Sequence, residues 1–373
     1  MLRVLHVGKY YPPVPGGIER VVQTLCSVAS DRLDSRVLAF SRGSSTIEEI
    51  VDGVPVTRVA TLGQAGSVPV APTFAAHLRR ANADVMIVHE PNPWALLSLC
   101  FARPRMPLAI WFHSDVVRPW LQYRLFYAPV ARPAYDRAAR FVVSSPALAE
   151  ASTVLTRYAD RIAVIPFGID AGAWESTAAI RLRAEEFRAA AGRPIVLFLG
   201  RLVPYKGVDV LIKAAAPLPV QLVIAGDGPM GDAWKQVAAA HRDRAIVEFP
   251  GSLPDDDVKA WLHAADVLVL PSITSAEAFG VVQLEAMASG TPVISTRVAS
   301  GVPWVNRDNE TGLVVPPGDV VALRLALERL LADPSLRARF GAAGLARVRS
   351  EFSMPVMADR LVALCHAVAA DRR

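Results

Sequence analysis

The sequence has little that would place it among disulfide-stabilised or metal-binding proteins. Its 373 residues include three cysteines, Cys26, Cys100 and Cys365, which are far apart and lack the spacing of a metal site. We therefore expect reduced, buried thiols. The chain also lacks a P-loop, internal repeats and an Asp-x-Asp element at a plausible metal position. No metal and no cofactor are expected.

Long apolar runs are missing as well. No stretch reaches the roughly 18 residues that a membrane-spanning helix needs, and the nearest candidate, residues 94–112, contains Arg103, Pro104, Arg105 and Pro107. The apolar run at the N-terminus is too short for a secretory signal. We expect a cytoplasmic protein, and we keep peripheral contact with the inner face of the cytoplasmic membrane as a further hypothesis.

The sequence is rich in apolar residues, which make up 52% of the chain and give a mean hydropathy of +0.31. A chain of 373 residues is too long for one core. Strand and helix patterns alternate in both halves, which predicts an α/β fold with parallel sheets. We expect one domain over residues 1–170, a second over 171–353 and a final helix in 354–373, with a hinge at 166–170.

The positive charge is concentrated in the first half. Residues 1–170 hold 18 Lys and Arg against 13 Asp and Glu, whereas the remainder holds 22 of each. Residues 103–140 carry seven arginines, interleaved with Trp120, Tyr123, Phe126 and Tyr127. This segment is either a solvated helix face or a surface for anionic lipid or a lipid diphosphate. No nucleic-acid motif is visible, so a nucleic-acid partner is not expected.

Several polar residues and glycines follow predicted strands, where ligands bind in open α/β sheets. Gly16 and Gly17 precede a helix and predict either a phosphate site or a tight turn. Arg201 and Lys206 follow strand 195–199 and predict either a diphosphate site or two surface cations. His113 follows strand 108–112. It is either a titratable residue of the site or a histidine that forms hydrogen bonds with the loop. Two further strand-ending histidines, His6 and His89, have less polar company, and we expect them to be structural.

The stretch 275–296 is the most informative. An apolar strand, 267–270, precedes a loop that holds Glu277, and Gly280 opens a helix that holds Glu285. Both carboxylates therefore lie at or within a ligand crevice.

Two other patterns suggest sites that we do not expect. Residues 226–231 match Gly-x-Gly-x-x-Gly, but they lie beyond the first strand of their domain and contain Pro229, which argues against dinucleotide binding. Asp255, Asp256 and Asp257 begin a helix, where N-capping and compensation of the helix dipole explain them better than a metal.

Seven motifs in this order resemble glycosyltransferase family 4, and bacterial surface-polysaccharide mannosyltransferases within it. They are Pro-Pro-Val-Pro-Gly-Gly-Ile-Glu, His-Ser-Asp, Val-Ile-Pro-Phe-Gly-Ile-Asp, Gly-Arg-Leu-Val-Pro-Tyr-Lys-Gly, Ala-Gly-Asp-Gly-Pro, Glu-Ala-Phe-Gly-Val-Val-Gln-Leu-Glu-Ala-Met-Ala-Ser-Gly-Thr-Pro-Val-Ile and Glu-Thr-Gly-Leu-Val-Val-Pro-Pro-Gly-Asp. The resemblance implies a GT-B architecture: two Rossmann-like domains facing across a deep cleft, the first for the acceptor and the second for a nucleotide sugar. The final helix is expected to return to the first domain.

The resemblance also implies residue roles. It assigns the donor diphosphate to Arg201 and Lys206, the hydroxyls of the transferred sugar to Glu277 and the ribose to Glu285. His113 is the implied active-site histidine. The remaining implied donor-binding residues are Gly16, Gly17, Leu253 near the base, Phe279, Gly280, Val281 and Val282.

The implied reaction is retaining hexosyl transfer without a metal, in which the donor phosphate takes the acceptor proton on the face that the leaving group vacates. We favour GDP-mannose as donor and a saccharide or polyprenyl-diphosphate-linked saccharide as acceptor. UDP-glucose and UDP-N-acetylglucosamine remain alternatives. A nucleotide-sugar epimerase and a catalytically dead sugar-nucleotide binding module are rivals from other classes.

Overall fold

The computed structural model describes residues 1–114, 127–241 and 243–371. Contacts divide the chain into a first unit, Met1–Phe167 with Pro355–Arg373, and a second unit, Gly168–Met354. The expected boundaries were 170–171 and 353–354. In the described residues no helix is both long and apolar enough to cross a membrane.

The first unit is built on an eight-stranded sheet with the order β10-β9-β8-β7-β1-β2-β4-β3. All neighbouring strands are parallel except β3, which pairs antiparallel with β4 and was not predicted. A small hairpin, β5 with β6, stands apart. The strands are β1 Leu2–Val7, β2 Leu33–Phe40, β3 Ile47–Val51, β4 Val54–Val59, β5 Gln64–Ala65, β6 Val68–Pro69, β7 Val85–Glu90, β8 Leu108–Phe112, β9 Arg140–Val143 and β10 Ile162–Val164.

Helices cover both faces of this sheet because successive strand residues point to opposite sides. Leu5 and Ile110 pack on one side, with the helices Phe74–Arg80, Pro93–Ala102 and Ala128–Arg137. Val4 and Ile87 pack on the other, against the helices Gly17–Val28 and Met354–Ala370. The last helix buries six side chains in that core, Met357, Ala358, Leu361, Leu364, Cys365 and Val368, which confirms its expected return to the first half. A short helix, Pro146–Ala151, and a 3₁₀ segment, Leu155–Arg161, precede β10.

The second unit has a six-stranded parallel sheet with the order β13-β12-β11-β14-β15-β16. Its strands are β11 Ile195–Leu199, β12 Gln221–Ala225, β13 Ile246–Gly251, β14 Val267–Leu270, β15 Val293–Thr296 and β16 Gly312–Val315. Its helices are Ala178–Ala191, Val208–Ala215, Gly231–Ala240, Asp255–Ala264, Val282–Ala288, Val302–Val305, Val320–Ala332 and Pro334–Glu351, with 3₁₀ segments at Ala171–Trp174 and Pro204–Lys206. Both units are therefore Rossmann-like, as expected.

The aspartates at the start of the helix Asp255–Ala264 correct one expectation. Pro254 is the N-cap residue, and no side chain caps this helix end. Asp255, Asp256 and Asp257 lie in the first turn, where negative charge complements the helix dipole. Asp257 also accepts a hydrogen bond from Arg183 at 3.2 Å. Compensation of the dipole was correctly predicted, and N-capping was wrong.

Candidate active site

Four loops of the second unit meet at one edge of its sheet. They follow β11, β12, β13 and β14, which are neighbours in the order β13-β12-β11-β14. Because all these strands are parallel, their carboxyl ends lie together. The sequence-predicted residues Arg201, Lys206, Leu253 and Glu277 lie on these loops or directly after them.

The glycines at 226 and 228 allow two of these loops to touch backbone to backbone. A Cβ on Gly226 would lie 2.0 Å from the carbonyl oxygen of Gly200, and one on Gly228 would lie 2.3 Å from that of Leu202. The amide of Leu202 donates to the carbonyl oxygen of Asp227 at 2.9 Å. The Gly-x-Gly-x-x-Gly pattern therefore serves close loop packing.

Asp227 holds a third loop in place. Its carboxylate accepts hydrogen bonds from the amide of Ser252 at 3.2 Å and from the Ser252 hydroxyl at 2.5 Å. The amide of Gly226 donates to the carbonyl oxygen of Gly251 at 2.7 Å. These contacts fix the backbone that carries Leu253. The local sequence pattern around Asp227 does not predict this role.

A pocket of about 310 Å³ opens between these loops and the helix Val282–Ala288. Glu285 of this helix is half-buried and supplies the acidic side chain of the lining. The lining consists of Leu199, Gly200, Ala225, Gly226, Ser252, Leu253, Val258, Val282 and Glu285. Leu253, Val282 and Glu285 were predicted from the sequence, and the structure brings them together in one pocket.

Lys206 and Glu277 form an ion pair beside this pocket, with 2.5 Å between the ammonium nitrogen and Oε2. Each residue is only 8% exposed. The Ser272 hydroxyl donates to the same carboxylate oxygen at 3.2 Å. A Cβ on Gly200, which lines the pocket, would lie 3.6 Å from the Lys206 ammonium. The sequence placed both residues at the site but did not predict that they pair.

Arg201 differs from Lys206 in its surroundings. It is exposed on the loop after β11, and no described carboxylate lies within ion-pair distance of its guanidinium. Burial and the negative charge of Glu277 raise the pKa of the neighbouring Tyr205, and the charge of Arg201 lowers it. Of the two predicted cations, Arg201 therefore carries the charge that is not compensated by a described acidic side chain.

The turn before the helix Val282–Ala288 is shaped by Phe279 and Gly280. The Phe279 ring is 2% exposed and packs edge-on against Phe352, with 6.1 Å between ring centroids. Gly280 has a φ of 72°, and a Cβ there would lie 2.5 Å from Leu270. Phe279 therefore contributes its backbone to the turn, while its side chain belongs to the core. Val281 is 39% exposed.

In the first unit, Gly16 and Gly17 begin the helix Gly17–Val28, with Gly16 as the N-cap residue. A Cβ on Gly16 would lie 1.9 Å from Oε2 of Glu19. The carboxylate of Glu19 therefore already places negative charge at this helix end. The Glu19 side chain is flexible at this end and could move away from a Cβ, so this contact alone does not require glycine at position 16. The predicted phosphate role of both glycines stays a prediction.

Three histidines at the carboxyl edge of the first sheet form a hydrogen-bonded chain. His6 Nδ1 lies 3.1 Å from His89 Nε2, and His89 Nδ1 lies 3.1 Å from His113 Nε2. Burial lowers the pKa of His6 to about 4 and that of His113 to about 3. Burial, followed by the charges of His113 and His6, lowers the pKa of His89. The sequence missed this chain, because the partners of His6 and His89 are far away along the chain.

Only the flanks of the basic segment 103–140 are described, and Asp115, Arg118, Trp120, Tyr123, Arg124 and Phe126 lie outside the described residues. Arg137 donates to the carbonyl oxygens of Pro104 and Met106, and burial lowers its pKa. Arg132 lines a pocket of about 210 Å³ with Arg157, Tyr135 and Tyr158. At least one arginine of the segment is thus structural.

Comparison with known proteins shows which families and relatives this chain resembles. Residues 15–172 match the family described as Glycosyltransferase Family 4, and residues 181–347 match Glycosyl transferases group 1. A D-rhamnosyltransferase of Pseudomonas aeruginosa is 32% identical over 94% of this chain and 92% of its own. An O-antigen chain mannosyltransferase of Escherichia coli is 30% identical over 97% of this chain and 98% of its own.

Solved structures show the same fold. A sucrose-phosphate synthase of Thermosynechococcus elongatus superimposes with a TM-score of 0.78 at 24% identity, covering 98% of both chains. A glycosyltransferase involved in lipopolysaccharide biosynthesis gives a TM-score of 0.67 at 20% identity, covering 95% of this chain and 97% of that one. The α/β units, the two family matches and the full-length relatives together show that this chain is a glycosyltransferase with GT-B architecture that belongs to family 4.

Proposed function

We propose that this enzyme transfers a mannosyl residue from GDP-mannose to a saccharide or a polyprenyl-diphosphate-linked saccharide, with retention of the anomeric configuration and without a metal. The observation that carries the proposal is the pocket of about 310 Å³, in which Glu285 faces bare glycine backbone beside the Lys206–Glu277 pair. A carboxylate, open backbone and a nearby cation match the ribose, phosphates and leaving-group charge of a nucleotide sugar.

In this proposal the nucleotide occupies that pocket. Glu285 accepts hydrogen bonds from the ribose hydroxyls, and Leu253 packs against the base. The diphosphate lies toward Gly200, which has no side chain of its own and lies next to the Lys206 ammonium. Arg201, exposed on the same loop, is the second cation for the phosphates.

The chemistry follows from charge. As the glycosidic bond breaks, negative charge grows on the leaving phosphate, and fixed cations stabilise it. Glu277 holds Lys206 in place through Oε2, and we assign the hydroxyls of the transferred sugar to its other carboxylate oxygen. We assign the acceptor to the first unit and His113 to the reacting sugars. The donor phosphate takes the acceptor proton, so no protein nucleophile is required.

The choice of mannose rests on the relatives. One is named an O-antigen chain mannosyltransferase and another a phosphatidyl-myo-inositol mannosyltransferase of Mycobacterium leprae, 31% identical over 99% of this chain. D-rhamnose, the sugar in the name of a third relative, is 6-deoxymannose and shares the axial 2-hydroxyl. A structural neighbour was solved with UDP, so a UDP-sugar is the alternative donor.

A thermal-shift panel of GDP, UDP, ADP and their sugars tests the donor. We expect GDP and GDP-mannose to raise the Tm, because a ligand at a hundredfold excess over its Kd adds about 2.7 kcal/mol to the free energy of unfolding. Glu285→Gln should lose the shift, and Glu328→Gln, exposed elsewhere in the same unit, should keep it. A shift with UDP alone would replace the mannose proposal with the UDP-sugar alternative.

Turnover assays test the reaction. GDP-mannose consumption should require an acceptor, should continue in EDTA and should yield an α-linkage. Donor conversion without acceptor into an epimeric nucleotide sugar would indicate an epimerase. Binding without any turnover would indicate a dead binding module.

Membrane contact through residues 103–140 is a separate part of the proposal. Charge reversal of Arg118, Arg124 and Arg132 to Glu should abolish binding to liposomes that contain anionic lipid, since each cation near such a surface contributes about 1 kcal/mol. Charge reversal of Arg181, Lys235 and Arg339, which are exposed in the other unit, serves as control. Unchanged binding of the first triple variant removes this part.

A further inference from the structure

His6, His89 and His113 lie on the adjacent strands β1, β7 and, directly after its end, β8. Each histidine comes two residues after a residue of the same core, namely Val4, Ile87 and Trp111. Their rings stack with 5.4 Å between the centroids of His6 and His89, and also between those of His89 and His113. The chain therefore runs from the buried sheet face toward the loop edge, where His113 is half-buried.

Three neutral imidazoles in a row can share their protons in only two ways. Each neutral ring carries one N–H, and each N–N contact needs one donor and one acceptor. Either His6 donates to His89 and His89 donates to His113, or every hydrogen bond runs the other way. The first arrangement puts the His113 proton on Nδ1, and the second puts it on Nε2.

His6 decides between the two arrangements. Its Nε2 is buried and has no hydrogen-bond partner among the described residues. In the first arrangement this atom is a bare acceptor, and in the second it is an N–H donor without an acceptor. Orphaned buried N–H groups are rarer than under-satisfied acceptors. The first arrangement is therefore favoured.

We propose that His6 and His89 are positioning residues which hold His113 as the Nδ1–H tautomer, so that His113 offers a hydrogen-bond donor rather than a base to a substrate oxygen. His89 Nδ1–H occupies the Nε2 lone pair of His113, so Nδ1–H is the ring group of His113 that His89 does not engage. The tautomer stands on geometry alone, whereas its use in sugar binding rests on the proposed function.

The surroundings of the three histidines oppose their protonation. Trp111 stacks on His89 and His113, and Phe167 stacks on His113. Lys9 and Glu19 line the pocket of about 250 Å³ beside His89. The carboxyl of Glu90 accepts a hydrogen bond from the Tyr127 hydroxyl. Asp115 lies outside the described residues. No described carboxylate forms a hydrogen bond with any of the three rings, so no described acidic group stabilises an imidazolium there.

The tautomer can be read directly from two-bond ¹H–¹⁵N spectra of protein labelled with ¹⁵N-histidine, with the seven histidines assigned by substitution. We expect His113 to be neutral and protonated on Nδ1 between about pH 5 and pH 8. A His113 protonated on Nε2, or an imidazolium in that range, overturns the proposal. This readout needs no substrate, so its failure is separable from failure of the mannosyl-transfer proposal.

Substitution of His89 tests the consequence for catalysis. His89→Phe keeps an aromatic ring but removes both hydrogen bonds, whereas His89→Asn retains an amide donor near the Nδ1 position. In the Phe variant we expect His113 to shift toward the Nε2–H tautomer. We expect kcat/KM for GDP-mannose to fall about 10- to 100-fold, as when partners of metal-bound histidines are removed. We also expect an acidic limb to appear in the pH profile of kcat/KM. His89→Asn should restore the tautomer and most of the activity.

His366→Phe, exposed on the last helix, is the control and should change neither readout. A folded His89→Phe variant with the wild-type tautomer and an unchanged pH profile overturns the proposal. If that variant does not fold, the spectra of the wild-type protein and of His89→Asn still decide it.

Discussion

The ammonium of Lys206 lies 2.5 Å from the carboxylate of Glu277, and both residues are 8% exposed. Two groups that the resemblance assigns to different parts of the donor, the diphosphate and the sugar, are thus directly coupled. Each compensates the charge of the other in a place where an isolated charge would be costly. In the proposed donor complex, the pair acts as one unit that aligns phosphate and sugar together.

Coupling of this pair is testable in a double-mutant cycle. Lys206→Met and Glu277→Gln should each cost about 3–5 kcal/mol in the free energy of unfolding, because each leaves a buried charge without its partner. The double variant should cost less than the sum of the single ones. Urea denaturation measures the stability, and a glycosyl-transfer assay should find all three variants inactive. Additive losses would show that the pair is not coupled.

Arg201 should contribute to catalysis and not to folding, since it is exposed. We expect Arg201→Ala to leave the Tm unchanged and to lower kcat by about 10²- to 10³-fold, as when a donor to a developing oxyanion is removed. Steady-state kinetics with GDP-mannose measure this. Lys235→Ala, an exposed cation on the helix Gly231–Ala240, is the matched control. Equal kinetics in the two variants would refute the role of Arg201.

Alanine substitutions at Gly226 and Gly63 distinguish the effect of steric contact from that of backbone strain. Their φ values are similar, 129° and 133°, but a Cβ on Gly226 meets the Gly200 carbonyl oxygen at 2.0 Å, whereas one on Gly63 has open space. Gly63→Ala should cost only the strain, about 1–3 kcal/mol. Gly226→Ala should destabilise the protein more and abolish the thermal shift with nucleotide, because it separates two loops of the pocket. Equal losses would contradict the packing argument.

Glu90 should make stability depend on pH. Burial raises the pKa of its carboxyl from 4.5 to about 7, against hydrogen bonds from Tyr127, the Asn92 amide and Tyr135, which lower it. Between these values the folded protein binds more protons than the unfolded chain, so the free energy of unfolding falls as the pH rises. The loss through this group approaches about 3 kcal/mol above pH 7.

The Glu90→Gln variant isolates this effect. Relative to wild type, it should gain stability steadily from about pH 4.5 to 7 and hold that gain above pH 7. The buried histidines act in the opposite direction below pH 6.5, since their pKa values are lowered, but they are common to both proteins and cancel in the difference. Urea denaturation at a series of pH values measures the difference in the free energy of unfolding between Glu90→Gln and wild type. Glu150→Gln, at an exposed position, is the control. A difference that does not vary with pH would refute it.

Local patterns predicted most of the secondary structure. The strand at 267–270 and the helix at 255–264 have the bounds expected from the sequence, because apolar runs and helical periodicity are encoded by neighbouring residues. The antiparallel strand Ile47–Val51 was missed: most of it is exposed, so it has no apolar run of the kind that marked the other strands.

The sequence by itself determined the fold class, the family and the loops that carry the candidate site, since each is encoded by periodicity or by a contiguous motif. The tertiary structure decided which side chains meet. Lys206 pairs with Glu277, His6 hydrogen-bonds to His89 across 83 residues, and Gly226 packs against Gly200. These contacts depend on strand order and on how closely two backbones approach, which are properties of the folded chain and not of any single stretch of sequence.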